Sequence, residues 1–264
     1  MNLQLQNKVI IVTGGAKGIG EAISTGLAAE GAIPVVFGNN EVDNIETIAK
    51  IKRNGGTAYQ YKVELSNPVE CKEAVENLIR DLGRIDGVVN NAGVNDSISL
   101  EDGSYEGFMS SLHKNLVHYY LVVHYALPQL KKSTNAAIIN ITSKTAETGQ
   151  GGTSAYAAAN GGRNALTREW AVELLKYNIR VNAIVVSECF TPMYASWVSQ
   201  FNNPDEKLAA ITSRIPFQNR MTKPSEIADM AIFLLSEKSG HTTGQLIHVD
   251  GGYVHLDRAL TNSK

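Results

Sequence analysis

Apolar and polar positions alternate along the chain in two patterns. One pattern consists of short apolar runs rich in β-branched residues, and those at 8–13 and 179–186 carry few polar residues inside, which is typical of parallel strands covered on both faces. Seven such runs predict strands at residues 8–13, 33–38, 57–63, 86–90, 136–142, 179–186 and 246–250. Between them, apolar residues spaced three and four apart predict helices at 18–30, 41–54, 68–82, 105–132, 154–177 and 224–236. This alternation implies right-handed crossovers and predicts a doubly wound α/β fold, with helices on both faces of a mainly seven-stranded parallel sheet.

The chain shows no sign of division into separate units. Its 264 residues contain no Pro/Ser-rich linker, internal repeat or low-complexity segment, so a single domain over residues 1–264 is expected. Only residues 187–223 break the alternation, and they mix Trp197, Phe201 and Phe217 with polar residues. We interpret this segment as an insertion that covers the substrate.

Composition and charge argue against several classes of function. The formal net charge of −2 and the pI near 6.3 give no electrostatic reason to expect nucleic acid or an anionic membrane as a partner. The N-terminus lacks a cationic start followed by a long apolar segment, and no apolar run reaches the length of a membrane span. Cys71 and Cys189 lie too far apart for a CxxC motif and do not suggest a disulfide framework. A cytoplasmic protein is therefore expected.

The histidines do not resemble a zinc motif. The three between residues 113 and 124 are five and six residues apart, which does not place them on one helix face. The three between residues 241 and 255 are separated by a predicted strand and turn. No metal site is expected from these spacings.

A glycine-rich loop, "TGGAKGIG" at residues 13–20, directly follows the first predicted strand and opens a helix. Gly14 permits the tight turn, Gly18 lets the backbone approach a pyrophosphate, and Gly20 lets helix and strand pack closely. The helix N-terminus then offers free N–H groups and the positive end of its dipole to phosphates. This placement predicts a dinucleotide site, and a glycine-rich turn without a ligand is the alternative.

Further motifs match a known family in order and spacing. The TGxxxGxG loop, "NNAG" at residues 90–93, Asn115 within a helix, and the thirteen residues from Ser143 to Tyr156 resemble the short-chain dehydrogenase/reductase family. "GQLIHVDGGY" at residues 244–253 resembles its C-terminal strand and turn. The resemblance covers nearly the whole chain and implies a Rossmann fold that binds NAD(P). The residues that it places at the cofactor are Gly14, Lys17, Gly18, Ile19, Gly20, Asn39, Glu64, Asn90, Ala92, Gly93 and Thr191.

The end of the second predicted strand bears on the choice of cofactor. Gly38, followed by Asn39 and Asn40, occupies the place where an acidic residue grips the adenosine ribose of NAD. No carboxylate there repels a 2′-phosphate, and Lys17 in the glycine loop could attract one. This favours NADP, or use of both cofactors, with Lys17 as a solvated loop residue as the alternative. The resemblance also implies that Glu64, at a position usually held by Asp, contacts the adenine.

The resemblance implies a catalytic set. Tyr156 would be the general acid/base at the reacting oxygen, Ser143 would hydrogen-bond the same oxygen, and Asn115 would hold a water in a proton relay. In the family, a lysine four residues after the tyrosine lowers its pKa and binds the nicotinamide ribose. Here that place holds Asn160, which can hydrogen-bond a ribose hydroxyl but carries no charge.

Two cations near this set are candidate substitutes for the missing lysine. Lys144 follows Ser143, and Arg163 lies two helical turns after Tyr156. The favoured interpretation is that both are solvated, which predicts an alkaline-shifted or slow proton transfer because an unperturbed phenol has a pKa of about 10. A second departure lies before Thr191, which in the family contacts the carboxamide. Val186-Ser187 stands there in place of the common Pro-Gly, so the positioning of the nicotinamide by this loop is in question.

Residues 90–96, 143–156, 165–174 and 249–260 resemble the subgroup of L-fucose and related sugar dehydrogenases. A pocket for a hydroxylated ring needs several hydrogen-bonding side chains. The candidates, of which the last two could cap the pocket of a neighbouring subunit, are Asn95, Asp96, Gln150, Glu188, His255 and Arg258.

Three functions remain open at this point. The first is oxidation of a sugar by NAD(P), giving a lactone if the anomeric hydroxyl reacts. The second is reduction of a ketone or oxoacyl group, favoured if the pocket is apolar. The third is a catalytically silent, nucleotide-binding protein. Long amphipathic helices at 105–132 and 154–177 resemble those through which the family assembles, so a homotetramer is expected.

Overall fold

The computed structural model describes residues 2–256, which form one parallel sheet with helices packed against it. The strands are β1 (Val9–Thr13), β2 (Ile33–Gly38), β3 (Tyr59–Lys62), β4 (Gly87–Asn90), β5 (Ala137–Ser143), β6 (Arg180–Val186) and β7 (Leu246–Val249). Their order in the sheet is 3-2-1-4-5-6-7, and every neighbouring pair is parallel. The predicted doubly wound fold with seven parallel strands is confirmed.

The helices are α1 (Gly18–Ala29), α2 (Glu41–Arg53), α3 (Pro68–Leu82), α4 (Tyr105–Leu112), α5 (His118–Leu130), α6 (Thr145–Thr148), α7 (Ser154–Glu173), α8 (Pro192–Val198), α9 (Pro204–Thr212) and α10 (Pro224–Leu235). Four of them begin with proline, whose missing N–H costs nothing in the first turn. Residues 187–223, predicted as an insertion, contain α8 and α9. None of the helices in residues 2–256 is both long enough and apolar enough to span a membrane.

Two apolar layers hold the helices on the sheet. On one face, α3, α5 and α7 contribute Val75, Tyr119 and Trp170 to a buried cluster. On the other face, α1 and α10 contribute Leu27 and Ile232. Because the central strands are covered on both sides, all five residues of β1 and all seven of β6 are buried, which is why these strands read as continuous apolar runs.

One prediction about the helices is wrong. The helix predicted at 105–132 is interrupted by a π-helical turn, His113–Val117, between α4 and α5. A π turn replaces i→i+4 bonding by i→i+5 bonding and changes which carbonyl oxygens are free to bond elsewhere. Asn115 lies in this turn, and its carbonyl oxygen accepts a hydrogen bond from the side chain of Arg163.

A buried carboxylate ties the amino ends of the strands together. Asp86, 2% exposed, accepts hydrogen bonds from the Val9 N–H at 2.9 Å, from the Ser133 hydroxyl at 2.7 Å and from two nitrogens of Arg84 at 2.8 and 2.7 Å. At the opposite, carboxyl ends, the Asn91 amide after β4 donates a hydrogen bond to the Thr13 carbonyl oxygen of β1 at 3.0 Å. The strand order reverses direction between β1 and β4, and in open α/β sheets ligands bind at the carboxyl ends beside such a switch point.

Candidate active site

A cleft of about 460 Å³ opens at the carboxyl ends of the strands. It brings together the glycine loop, the ends of β2, β4, β5 and β6, the first turn of α7 and the start of α8. The residues predicted from the sequence that line it are Gly14, Lys17, Gly18, Ile19, Asn39, Ala92, Gly93, Ser143, Tyr156 and Thr191. Residues 13–20 and 143–156, far apart in the sequence, therefore share one site.

The glycine loop has the backbone conformation that its residues suggested. Gly14 and Gly18 have φ of +61° and +56°, in the left-handed region that L side chains rarely adopt. Gly20 lies inside α1, where a Cβ would be 2.0 Å from the carbonyl oxygen of Gly14. These close approaches keep the α1 N-terminus against the floor of the cleft, where its free N–H groups are available to an anion.

The cleft residues fit a dinucleotide. The loop backbone would hold the pyrophosphate, and Ala92 and Gly93 offer a side-chain-poor wall on the opposite side. Ser187, the residue that departs from the family's Pro-Gly, lines the same cleft. Its hydroxyl oxygen is buried and has no hydrogen-bond partner within residues 2–256, so a ligand hydroxyl or amide would satisfy it.

The end of the cleft at β2 carries one cation and one carboxylate. Lys17 forms an ion pair with Asp43 at 2.7 Å, and its side chain is 63% exposed. Gly38 has no space for a side chain, because a Cβ would lie 2.4 Å from the amide oxygen of Asn44. Lys17 and Asp43 both line the cleft, so a cofactor bound at this end meets both charges.

Glu64 lies beside this end and does not line it. Its carboxylate accepts hydrogen bonds from the Ser66 N–H and hydroxyl and from the Asn39 amide at 3.2 Å. Burial alone would raise the pKa of Glu64, but these hydrogen bonds outweigh it and the pKa is lowered. The carboxylate therefore stays ionised and orients Asn39, which faces the cleft.

Ser143 and Tyr156 both line the cleft. Ser143 is the last residue of β5, and its hydroxyl oxygen accepts hydrogen bonds from the N–H and the hydroxyl of Thr145. Tyr156 is the third residue of α7. A hydrogen-bonding hydroxyl and a phenol thus face one space, as proton transfer to or from a bound oxygen requires.

The favoured interpretation of Arg163 as a solvated side chain is wrong. Arg163 is 3% exposed and lines the cleft from below. Its guanidinium donates to the carbonyl oxygens of Asn115 and Ile141 and to the amide oxygen of Asn160, and it stacks 4.2 Å from the centre of the Tyr119 ring. Sequence periodicity could place Arg163 on the face of Tyr156, but nothing in the sequence indicated that it is buried.

Lys144 is also not solvated. It is 7% exposed, its Nζ lies 2.5 Å from a carboxylate oxygen of Glu188, and the same Nζ lies 3.7 Å from the centre of the Tyr253 ring. Lys144 is not among the residues that line the cleft. Its charge is held by Glu188, outside the space that Tyr156 faces.

Three predicted asparagines lie beneath the cleft rather than on its surface. Asn90, Asn115 and Asn160 are each 0% exposed. Asn90 donates to Asn140 on the adjacent strand, so the geometry makes it a strand-pairing residue and not a direct contact to a cofactor. Asn115 bonds the backbone of Val94 through both atoms of its amide, and its carbonyl oxygen accepts a hydrogen bond from Arg163. Its relay role stays a prediction.

The predicted substrate residues do not converge on the cleft. Asn95 and Asp96 are engaged locally, by the Ser97 N–H and the Ser111 hydroxyl respectively, and Gln150 is exposed. Glu188 is nearest, because it accepts a hydrogen bond at 2.8 Å from Tyr194, which lines the cleft. Arg258 lies outside the described residues. Cleft residues that the sequence did not indicate include Asp43, Cys189, Met193 and Tyr194.

His255 lies in a cluster that the spacing of the histidines did not predict. The rings of His248 and His255 are 4.4 Å apart, and His248 is 2.9 Å from the carboxylate of Glu147. One donor atom from each of the three residues lies within 4.8 Å of the others, close enough to share an ion. The His248–Glu147 hydrogen bond already accounts for two of the three side chains.

The known proteins that this chain resembles are reductases and dehydrogenases. The family model described as Enoyl-(Acyl carrier protein) reductase matches residues 14–254. The 3-oxoacyl-(acyl-carrier-protein) reductase FabG of Thermotoga maritima is 34% identical over 253 residues, which cover 96% of this chain and 100% of the relative. The crystal structure of Cj0485 dehydrogenase is similar with a TM-score of 0.94 and 43% identity over 100% of both chains. The aldohexose dehydrogenase of Thermoplasma acidophilum has a TM-score of 0.86 and 25% identity over 95% of both chains.

Proposed function

The chain belongs to the short-chain dehydrogenase/reductase family of NAD(P)-dependent oxidoreductases, and from this premise we propose that it oxidises a hydroxyl group of a sugar. The proposed substrate is L-fucose or a related aldose, with the anomeric hydroxyl as the reacting group and a lactone as the product. The observation that carries the proposal is that Ser143 and Tyr156 line the same cleft as the glycine loop.

In this reaction the chain binds, orients and deprotonates the sugar. The glycine loop and the α1 N-terminus would hold the pyrophosphate of the cofactor. Ser143 would donate a hydrogen bond to the reacting oxygen, and Tyr156 would remove its proton as general base. An oxidised nicotinamide cofactor held in the cleft would supply the acceptor for the hydride from the carbon.

The polar groups beside Ser143 support a hydroxylated substrate. Glu188 is held between Lys144 and the hydroxyl of Tyr194, so acceptors and donors lie together next to the cleft. The similarity to an aldohexose dehydrogenase supports the same class. A site built to bond each hydroxyl would reject analogues that lack one.

A second candidate is reduction of a ketone or an oxoacyl group. Phe190, Met193, Trp197 and Phe201 are each at least 37% exposed, on and beside α8 where it borders the cleft. An apolar rim of this kind suits an aliphatic chain or a carbocyclic ring better than a sugar. The FabG relative favours this candidate equally.

We also propose a preference for NADP. Lys17 lies where a 2′-phosphate could reach it, and the position that carries the acidic residue of NAD-binding sites is Gly38. Asp43 opposes the preference, because it already neutralises much of the Lys17 charge.

The assay that tests the sugar proposal follows reduced nicotinamide. Purified protein is incubated with L-fucose, D-arabinose and related aldoses, with either oxidised cofactor, at neutral and alkaline pH, and the lactone is trapped with hydroxylamine. Tyr156→Phe is expected to lower kcat by about 10²- to 10⁴-fold, because the general base is lost. Tyr59→Phe, at an exposed tyrosine of β3, is the matched control.

Two results would redirect the proposal. No turnover of any aldose, together with oxidation of reduced cofactor by an oxoacyl thioester or a cyclic ketone, would favour the second candidate. Full activity in the Tyr156→Phe variant would remove Tyr156 from the mechanism.

We propose in addition that the protein is a homotetramer in the cytoplasm. Tyr120 on α5 and Val172 on α7 are 50% and 69% exposed, which supports pairing of these long helices between copies. Sedimentation equilibrium of the wild type and of Val172→Glu tests the assembly, and an unchanged monomer mass in both would contradict it.

A further inference from the structure

The geometry points to Arg163 as the residue that takes over both tasks of the missing lysine: it supplies the positive charge beside Tyr156 and a hydrogen bond to the nicotinamide ribose. This inference rests on the proposed dehydrogenase function, since it assigns a further residue of that same site. It also gives Asn160 a role, as the partner that makes room for Arg163 and orients it.

The helix brings Arg163 to the lysine's place from a different position. Residues seven apart lie on nearly the same face of an α-helix, about 10.5 Å apart along the axis. Helical side chains lean toward the N-terminus, so a long side chain at residue 163 reaches back toward the turn of residues 159 and 160. The observed bond of 3.0 Å from Nη1 of Arg163 to the amide oxygen of Asn160 confirms this reach.

The guanidinium has one donor to spare. Of its five N–H groups, Nε binds the carbonyl oxygen of Asn115, the two on Nη1 bind Ile141 and Asn160, and one on Nη2 binds the Asn115 amide oxygen at 3.4 Å. The remaining Nη2 donor has no partner within residues 2–256. Nη2 lies directly beneath Gly93, where a Cβ would be 2.8 Å away, so this donor is at the cleft wall.

Asn160 fits Arg163 as a matched pair. Its amide nitrogen donates to the carbonyl oxygen of Tyr156 at 2.9 Å, and its amide oxygen accepts from Arg163. Both polar atoms are thus used at a position that is 0% exposed. A lysine at 160 would place an ammonium group against the guanidinium in a buried space, where like charges repel strongly.

The charge of Arg163 acts on the groups around it. Burial, and then the Arg163 charge, lower the pKa of His118 to about 3. Burial raises the pKa of the Tyr119 phenol, and Arg163 opposes that rise. The guanidinium that acts on these two rings is buried, and it lines the same cleft as Tyr156.

Lys144 does not compete for this role. Its ammonium group is bound to Glu188 and lies over the Tyr253 ring, outside the cleft. Among the residues that line the cleft, the cations are Arg163, which bonds Asn160, and Lys17 at the β2 end, where Asp43 holds it.

The test uses four variants of the full chain. Arg163→Met removes the charge, Arg163→Lys keeps it with fewer donors, and Asn160→Lys with Arg163→Met moves the charge to the family's place. Arg168→Met is the matched control, since Arg168 is an exposed arginine on the same helix. For each, the melting temperature, the Kd of oxidised NAD and NADP without sugar, and the pH profile of kcat/KM with the best hydroxyl substrate are measured.

Arg163→Met is expected to weaken cofactor binding about tenfold or more, the worth of one hydrogen bond from a charged donor. Its acidic limb of kcat/KM is expected to move to higher pH by about one unit or more. Arg163→Lys should leave the acidic limb of kcat/KM at the wild-type pH but bind the cofactor more weakly. The double variant should recover both readouts, and Arg168→Met should match the wild type.

The proposal is wrong if folded Arg163→Met keeps the wild-type Kd and pH limb, or if the folded double variant is no better than Arg163→Met in either readout. If Arg163→Met does not fold, Arg163→Lys and the double variant are compared with the wild type in the same two readouts, the cofactor Kd and the pH of the acidic limb. A third result separates the two proposals. If Arg163→Met weakens cofactor binding but the wild type oxidises no sugar, the proposed substrate is wrong and the inference about Arg163 stands.

Discussion

The proposed preference for NADP depends on two residues at the β2 end of the cleft. Lys17 would attract a 2′-phosphate, and Asp43, at 2.7 Å from its ammonium group, would repel one. Two unit charges about 4 Å apart in water interact by about 1 kcal/mol, which is about fivefold in affinity. Lys17→Met should therefore weaken NADP binding several-fold and leave NAD binding almost unchanged, whereas Asp43→Asn should strengthen NADP binding.

The measurement is the ratio of the two Kd values by titration calorimetry, at low and high salt. Lys52→Met, at an exposed lysine of α2, is the control. The preference should shrink as salt rises, because the ion pair is at the surface. Equal Kd ratios in the wild type and both variants would show that neither charge reaches the cofactor.

At this scale, some residues could be predicted from the sequence and others could not. Gly14 and Gly20 were predictable because only glycine fits the conformation or the contact that the loop requires. Arg163 was not, because a charged residue is ordinarily solvated and its burial depends on Asn115, 48 residues away. The apparent defect at Asn160 is explained only once Arg163 is located.

At the scale of elements, the π turn between α4 and α5 is followed by a buried histidine, the first residue of α5, that is uncharged in the folded protein at neutral pH. His118 is 1% exposed, and its ring nitrogen Nε2 lies 3.0 Å from the carbonyl oxygen of Lys114 in the turn. Burial and the charge of Arg163 lower its pKa to about 3, against 6.5 ordinarily. The unfolded chain therefore binds a proton that the folded chain does not, between pH 6.5 and about 3.

The sign of this difference makes stability fall as the pH falls through that window. One proton contributes a slope of at most about 1.4 kcal/mol per pH unit. His118→Gln, which keeps a donor for Lys114, should flatten the acid side of the curve, and His241→Gln, at an exposed histidine, should not. Urea unfolding at neutral and mildly acidic pH measures the difference, and parallel curves for all three proteins would contradict it.

The strands were predictable where the π turn was not. Each predicted strand overlaps an observed one, and the strands covered on both faces, such as β1 and β6, leave an apolar run that few other structures produce. The π turn has no such mark in the sequence. It depends on Asn115 binding Val94 and Arg163, contacts 21 and 48 residues away, which a local pattern does not contain.

At the scale of the whole molecule, the two ends of the sheet do different work. The carboxyl ends form the cleft, and the amino ends are tied by Asp86. Burial alone would raise the pKa of this carboxyl, but hydrogen bonds from Arg84, Val9 and Ser133 outweigh it and lower the pKa. Since the folded pKa is the lower one, Asp86 stabilises the fold above its unfolded value of about 3.9 and this contribution is lost as the pH falls below that value.

Asp86→Asn should therefore lower the free energy of unfolding at neutral pH by about 2 kcal/mol, the worth of hydrogen bonds to a buried charge. It should leave kcat and KM unchanged, because Asp86 bonds the first residue of β1 and the cleft lies at the other end of this five-residue strand, about 13 Å away. Glu76→Gln, which breaks an exposed pair with Lys72, should change stability by less than about 1 kcal/mol. Denaturant unfolding and steady-state kinetics on the same preparations test this division. A loss of activity in folded Asp86→Asn at a temperature well below its transition would show that the two ends of the sheet are coupled.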